Sequence, residues 1–172
     1  IDPDINMMLT PAQRIELGRR IDHIRTDKPY FAIDFFNDAP HVGGCISGKY
    51  YCHINSREDV EPFIFSHFAC DNLKGKPLIN IFRSPFFKTL RRKQPYNDNL
   101  LLPCMMIVNP DMIRQIVKET GAHPTDDSAK QMISDPVFMH QLDELAKEFK
   151  PYADEAWQKD FGQKGNLDMA KG

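Results

Sequence analysis

The chain has 172 residues, 41% of them hydrophobic and 27% charged, an ordinary make-up for a soluble globular chain long enough to bury a core. A formal charge of -2 and a pI near 6.3 give no electrostatic case for binding nucleic acid or an anionic membrane. The chain has no apolar run of about 18 residues to span a bilayer and no basic segment leading into an apolar core at its start, so a cytoplasmic location is the default expectation.

Ile1-Asp2-Pro3-Asp4 has no initiator Met, which suggests a cut or processed chain. Thr10 is a good N-cap, followed by Pro11 at the first helical position and Gln13 three residues after the cap, and together they predict a helix to about Thr26. Ile15, Ile21 and Ile24 supply part of its apolar face. Lys28-Pro29 breaks it, and Tyr30-Phe31-Ala32-Ile33-Asp34-Phe35-Phe36 reads as a buried strand. Gly43-Gly44 end a loop that delivers Cys45, and the strands Tyr50 to Asn55 and Asp59 to Phe65 form a hairpin. Ser84-Pro85 opens a short helix with Phe86, Phe87 and Leu90 facing inward, and its basic end, Arg91-Arg92-Lys93, reads as a solvated helix terminus. Asn109-Pro110 starts another helix, with Met112, Ile113, Ile116 and Val117 on one side and Gly121 as its stop. Ser128 to Ile133 and Val137 to about Phe149 are further helices, and the polar end from Gln163 reads as frayed.

The cysteines are spaced C-x6-C-x17-C-x33-C. Uneven spacing favours reduced thiols or metal ligands over a disulfide framework, and the lack of a Cys-x-x-Cys pair argues against a zinc ribbon. Cys52 shares a strand face with Tyr50 and Ile54 and reads as a core thiol. Cys45, after two glycines, and Cys104, after Pro103, lie in constrained loops and are the better ligand candidates. Histidines offer another arrangement, a mixed zinc site of Cys45, His67, Cys70 and Cys104, with His41 and His53 nearby in the chain. Asp34 and Asp38 close the first strand, where ligand-binding or loop-capping groups sit in α/β sheets. There is no phosphate-binding glycine loop and no dinucleotide fingerprint. Trp157 is a candidate contact residue.

Several of these segments, in order, resemble one family. Phe31-Ala32-Ile33-Asp34-Phe35-Phe36-Asn37-Asp38, Val42-Gly43-Gly44-Cys45, His53-Ile54-Asn55, Asp59-Val60-Glu61-Pro62, Ser84-Pro85-Phe86-Phe87, Gln94 to Leu101 and Pro103-Cys104 are similar to the C-terminal part of radical S-adenosylmethionine proteins that carry a SPASM- or twitch-type auxiliary cluster domain. The resemblance covers about Thr10 to Val117. It implies an α+β fold: the terminal helix–strand unit of a partial (β/α) barrel over residues 1–40, an auxiliary domain with a β-hairpin and short helices over 41–109, and a helical C-terminal extension over 110–172.

By resemblance, Cys45 and Cys104 fall on ligand positions of an auxiliary 4Fe–4S cluster. Phe63 stands where the family has the cysteine of Glu-Pro-Cys, and Ser66 lies near a second expected cysteine. Cys52 and Cys70 complete a four-thiolate set if the loop after the hairpin folds back; otherwise Phe63 fills the vacated space in a cluster-free binding or scaffold module. The Cys-x-x-x-Cys-x-x-Cys motif that binds the cluster for S-adenosylmethionine is absent from these residues, so catalytic residues are not assigned. S-adenosylmethionine enters only with a barrel from the same protein or a separate chain, and a peptide is the implied class of substrate.

Overall fold

A computed structural model describes residues 7–162 of the chain. Its elements are α1 (Pro11–Asp27), α2 (Ala39–Val42), β1 (His53–Ile54), β2 (Val60–Glu61), β3 (Phe68–Ala69), α3 (Leu78–Phe82), α4 (Pro85–Lys93), α5 (Pro110–Thr120), β4 (His123–Pro124), α6 (Asp127–Ser134) and α7 (Pro136–Asp160). The architecture mixes α and β: β1–β2 and β3–β4 are two separate antiparallel pairs, and no barrel forms among the described residues.

The helix starts follow their caps. Thr10 and Gln13 form a full capping box at α1, and the Ser84 hydroxyl accepts from the Phe87 amide at α4. Asn109 precedes α5 without capping it through its side chain, which instead donates to the carbonyls of Leu102 and Cys104. Helix α7 is much longer than the expected segment and runs through Pro151 to Asp160. The frayed end expected from Gln163 lies outside the described residues.

Two expectations are corrected. The run from Tyr30 to Phe36 is neither a strand nor buried: Phe31 is 92% exposed, Ile33 54% and Phe35 46%. Its polar groups turn inward instead. The Arg25 guanidinium donates twice to the Ala32 carbonyl and pairs with Asp38, whose carboxylate accepts from the Asp34 amide at 2.9 Å. Buried Asp34 in turn accepts from the amides of Phe36 and Asn37. With no neighbouring strand to pair with, the segment satisfies itself through side chains and shows its apolar side to solvent. The hairpin exists but is shorter than expected, with His53 opposite Glu61 and Ile54 opposite Val60. Tyr50 and Ile54 are exposed, so they do not share a buried face with Cys52, which packs at the edge of the core from just before β1.

Two apolar clusters hold the chain together. The first gathers Val60, Phe68, Phe86, Phe87, Leu90, Ile113 and Ile116 beneath α4 and α5. The second joins Leu102 and Val108 to Phe149 and Ala153 of α7, with Ile15 of α1 and Phe36 against it. Each fully buried Phe or Leu stabilises the fold by about 1.5–3 kcal/mol, so the paired Phe86 and Phe87 are major anchors. Cys104 touches both clusters.

Candidate functional site

The Gly44–Tyr51 loop is held against α4 by its shape. Gly48 has φ +67, and a Cβ there would meet Leu90 at 3.2 Å and Phe87 at 3.3 Å, so only glycine lets the loop lie this close. The Gly48 amide donates to the carbonyls of Tyr51 and Pro62, and Arg91 donates to the Gly48 carbonyl. Gly44 has φ +109 and backs onto Pro95. This pinned loop carries Cys45 against the first apolar cluster.

Cys104 packs against the same apolar cluster. Its carbonyl accepts from the amides of Val108 and Asn109, and its sulfur accepts from the Met106 amide at 3.3 Å. Cys45 and Cys104 are close enough to interact electrostatically, although 58 residues lie between them. Burial, reinforced by the neighbouring Cys104, pushes the Cys45 thiol up to about 12, and burial also raises Cys104. Both are therefore neutral thiols unless a cation is present to displace the proton.

Polar groups not singled out from the sequence complete the surroundings. Tyr96 is buried beside both cysteines, and burial followed by the Cys45 charge raises its hydroxyl. The Gln94 side-chain amide donates to the Tyr96 hydroxyl at 3.2 Å and to the Ser47 carbonyl at 2.7 Å. Two buried oxygens here, Ser47 Oγ and Gln94 Oε1, have no hydrogen-bond partner among the described residues. The signal for Ser47 was its place two residues after Cys45 on a glycine-flanked loop.

The other two cysteines are engaged differently. The Cys70 thiol donates to the Ser84 hydroxyl, 3.2 Å away, at the start of α4. Cys52 is partly buried, and burial raises its thiol. No group of three or more His, Cys, Asp or Glu side chains able to hold a metal ion is found among the described residues. Of the four cysteines, Cys45 and Cys104 are thus the two that come near one another, and the Met106 amide is placed as a hydrogen-bond donor at the Cys104 sulfur.

Phe63 belongs to an aromatic group. Its ring lies 4.9 Å from Tyr51, 5.1 Å from Phe35 and 5.6 Å from Phe65, centroid to centroid. It therefore ties the hairpin to the segment that displays Phe31 and Ile33.

The histidines gather on a carboxylate. Glu61, 1% exposed, accepts at one oxygen from His53 Nδ1 at 2.8 Å and from His67 Nδ1 at 3.2 Å. At the other it accepts from Asn55 and from the Thr125 hydroxyl. His67 Nε2 also lies 3.7 Å from Asp126. Burial works to raise the Glu61 carboxyl, but the bonds from Thr125, His53, Asn55 and His67 outweigh it and hold it below the usual value. This network fastens β4 and the start of α6 to the hairpin. His67 is committed to it, with no cysteine among its described partners.

His41 lies elsewhere, facing Phe161 and 4.0 Å from Asp22. Trp157 stacks on Phe161 and packs against the second apolar cluster. No helix among the described residues is long and apolar enough to cross a membrane. Comparison of the chain with protein-family models, curated proteins and solved structures gave no match.

Proposed function

We propose that this chain is the accessory, C-terminal portion of a radical S-adenosylmethionine protein. In this reading residues 30–36 close a partial (β/α) barrel supplied by the same protein or by a separate chain. Cys45 and Cys104 provide ligands for an auxiliary iron–sulfur centre, and the surrounding loops form part of a substrate pocket for a peptide. Radical chemistry itself needs the barrel, because the Cys-x-x-x-Cys-x-x-Cys motif is absent from these residues.

The observation that carries the reading is the inverted segment 30–36. Its polar groups are fastened inward by Arg25, Asp34 and Asp38, while Phe31, Ile33 and Phe35 alternate outward. An ordered stretch with an exposed apolar side marks a contact face rather than a random surface. The approach of Cys45 to Cys104 supports the metal part.

Anaerobic reconstitution with iron and sulfide tests it. The expected product has broad visible absorbance and, on reduction, an electron paramagnetic resonance signal. A colourless, iron-free protein would sink the metal part of the reading.

A second reading, a cluster-free binding or scaffold module, is favoured by Phe63, whose ring packs with Phe35, Tyr51 and Phe65. Sharp cooperative melting unchanged by a chelator supports that alternative.

A further inference from the structure

We propose that residues 30–33 form an open strand edge through which two copies of this chain pair, antiparallel and centred on Ala32. The inference needs neither a metal nor a barrel, and it goes beyond the function proposed above by naming what covers this edge in the chain alone.

Exposure alternates along the segment as it does along a strand: Phe31, Ile33 and Phe35 face solvent, while Asp34 between them is buried. In an extended strand the N–H and C=O of one residue point to one edge and those of the next residue to the other. One edge here is taken. The Ala32 carbonyl accepts from the Arg25 guanidinium, and the Asp34 amide donates to Asp38. The other edge is open, because the N–H and C=O groups of Phe31 and Ile33 have no hydrogen-bond partner among the described residues.

That edge fits a second copy of itself. Antiparallel pairing about a two-fold axis at Ala32 sets Phe31 opposite Ile33 of the second copy and satisfies the backbone groups of both residues. One face then carries Phe31, Ile33 and Phe35 from each copy as cross-strand neighbours, and Phe35 extends it through Phe63 to Phe65. At about 200 Å² for a large side chain, the exposed parts of Tyr30, Phe31, Ile33, Phe35 and Phe65 come to on the order of 600 Å², near the roughly 800 Å² per partner of a stable interface. Charge also selects the copy. Between Pro29 and Asn37 the only charged residue is Asp34, whose carboxylate is turned inward to the amides of Phe36 and Asn37. Two such faces meet without like-charge repulsion, whereas an anionic membrane or a charged peptide finds no opposite charge in the segment. Because the inner edge is occupied, pairing closes at two copies rather than growing into a filament.

Sedimentation equilibrium of the full, metal-free chain tests this up to about 100 µM, well above the µM upper end of Kd for interfaces of standard size. The parent should dimerise as concentration rises. Ile33→Pro removes one of the pairing amides and should weaken dimerisation about 10-fold or more. At dilution it should melt like the parent, because that amide has no partner within the chain. Phe31→Ser keeps the backbone edge and should weaken dimerisation through the lost side chain. The register has its own readout. Residue 32 alone meets its own copy, at a Cα separation of about 4.5 Å, so Ala32→Cys should form an intermolecular disulfide on mild oxidation and Phe31→Cys should not. Peptide mass mapping locates the link.

A parent that stays monomeric overturns the proposal, equally so if the edge instead captures phosphatidylglycerol vesicles or an apolar strand peptide. Oligomers larger than two overturn it, as does an Ile33→Pro protein that dimerises like the parent. If Ile33→Pro fails to fold, Phe31→Ser and the Ala32→Cys link decide. Iron uptake by the parent reports on the proposed function alone: an iron-free dimer sinks the metal part of that reading and keeps this one, and an iron-loaded monomer does the reverse.

Discussion

Glu61 shows how one side chain can bind separate parts of the chain together. It is buried, yet four donors from three regions converge on its carboxylate. Glu61→Ala leaves those donors without an acceptor and should cost about 3 kcal/mol of stability, measured by denaturant unfolding. Since the carboxyl is held below its ordinary value of 4.5, its contribution is complete above that pH and is lost as pH falls through the lower folded value. An acid titration of melting temperature should therefore show a shallower acid limb in Glu61→Ala, with Asp38, Asp71 and Asp154, also held below their ordinary values, supplying what remains. Cys45, pushed up to about 12, should resist alkylation at pH 8 in the folded, metal-free chain and react fully once the chain is unfolded. Peptide mass mapping reads both states. Phe63→Ala should destabilise by about 2 kcal/mol, less than a fully buried Phe, because its ring is half-buried among Phe35, Tyr51 and Phe65.

At the level of elements, the helix starts were legible because a cap is a local event. Thr10-Pro11 with Gln13, and Ser84-Pro85, specify their helices within four residues. The strand at 30–36 misled because a continuous apolar run has the same composition in a buried strand and in an exposed, self-satisfied segment. What decides is the partner, which is not encoded within the run. The β3–β4 pair was missed for a related reason: Phe68 pairs with Pro124 across the whole of α3 to α5, and the proline conceals the strand. The loop settings of Cys45 and Cys104 single both out as ligand candidates, but their approach across 58 intervening residues is not legible in the sequence. Gln94 and Tyr96 could not be picked out, since their placement comes from long-range packing. Arg25→Ala should release the Ala32 carbonyl and Asp38 together. Hydrogen exchange should then speed up at the amides of Asp34 to Asn37, with little change in α5.

Across the whole molecule, Cys104 is a junction, because it touches both apolar clusters while approaching Cys45. A metal bound there would join the α4–α5 half to the α1–α7 half, and it should raise melting temperature through binding to the folded state alone. Phe35, exposed along with Phe31 and Ile33, packs edge-on against Phe63, so the outward apolar side of this segment adjoins the hairpin. The most direct test is iron and sulfide content after anaerobic reconstitution across single cysteine-to-serine variants. In the proposed reading the parent binds both elements, and Cys45→Ser and Cys104→Ser each lose them. A parent free of iron, or one whose iron survives both substitutions, would contradict it.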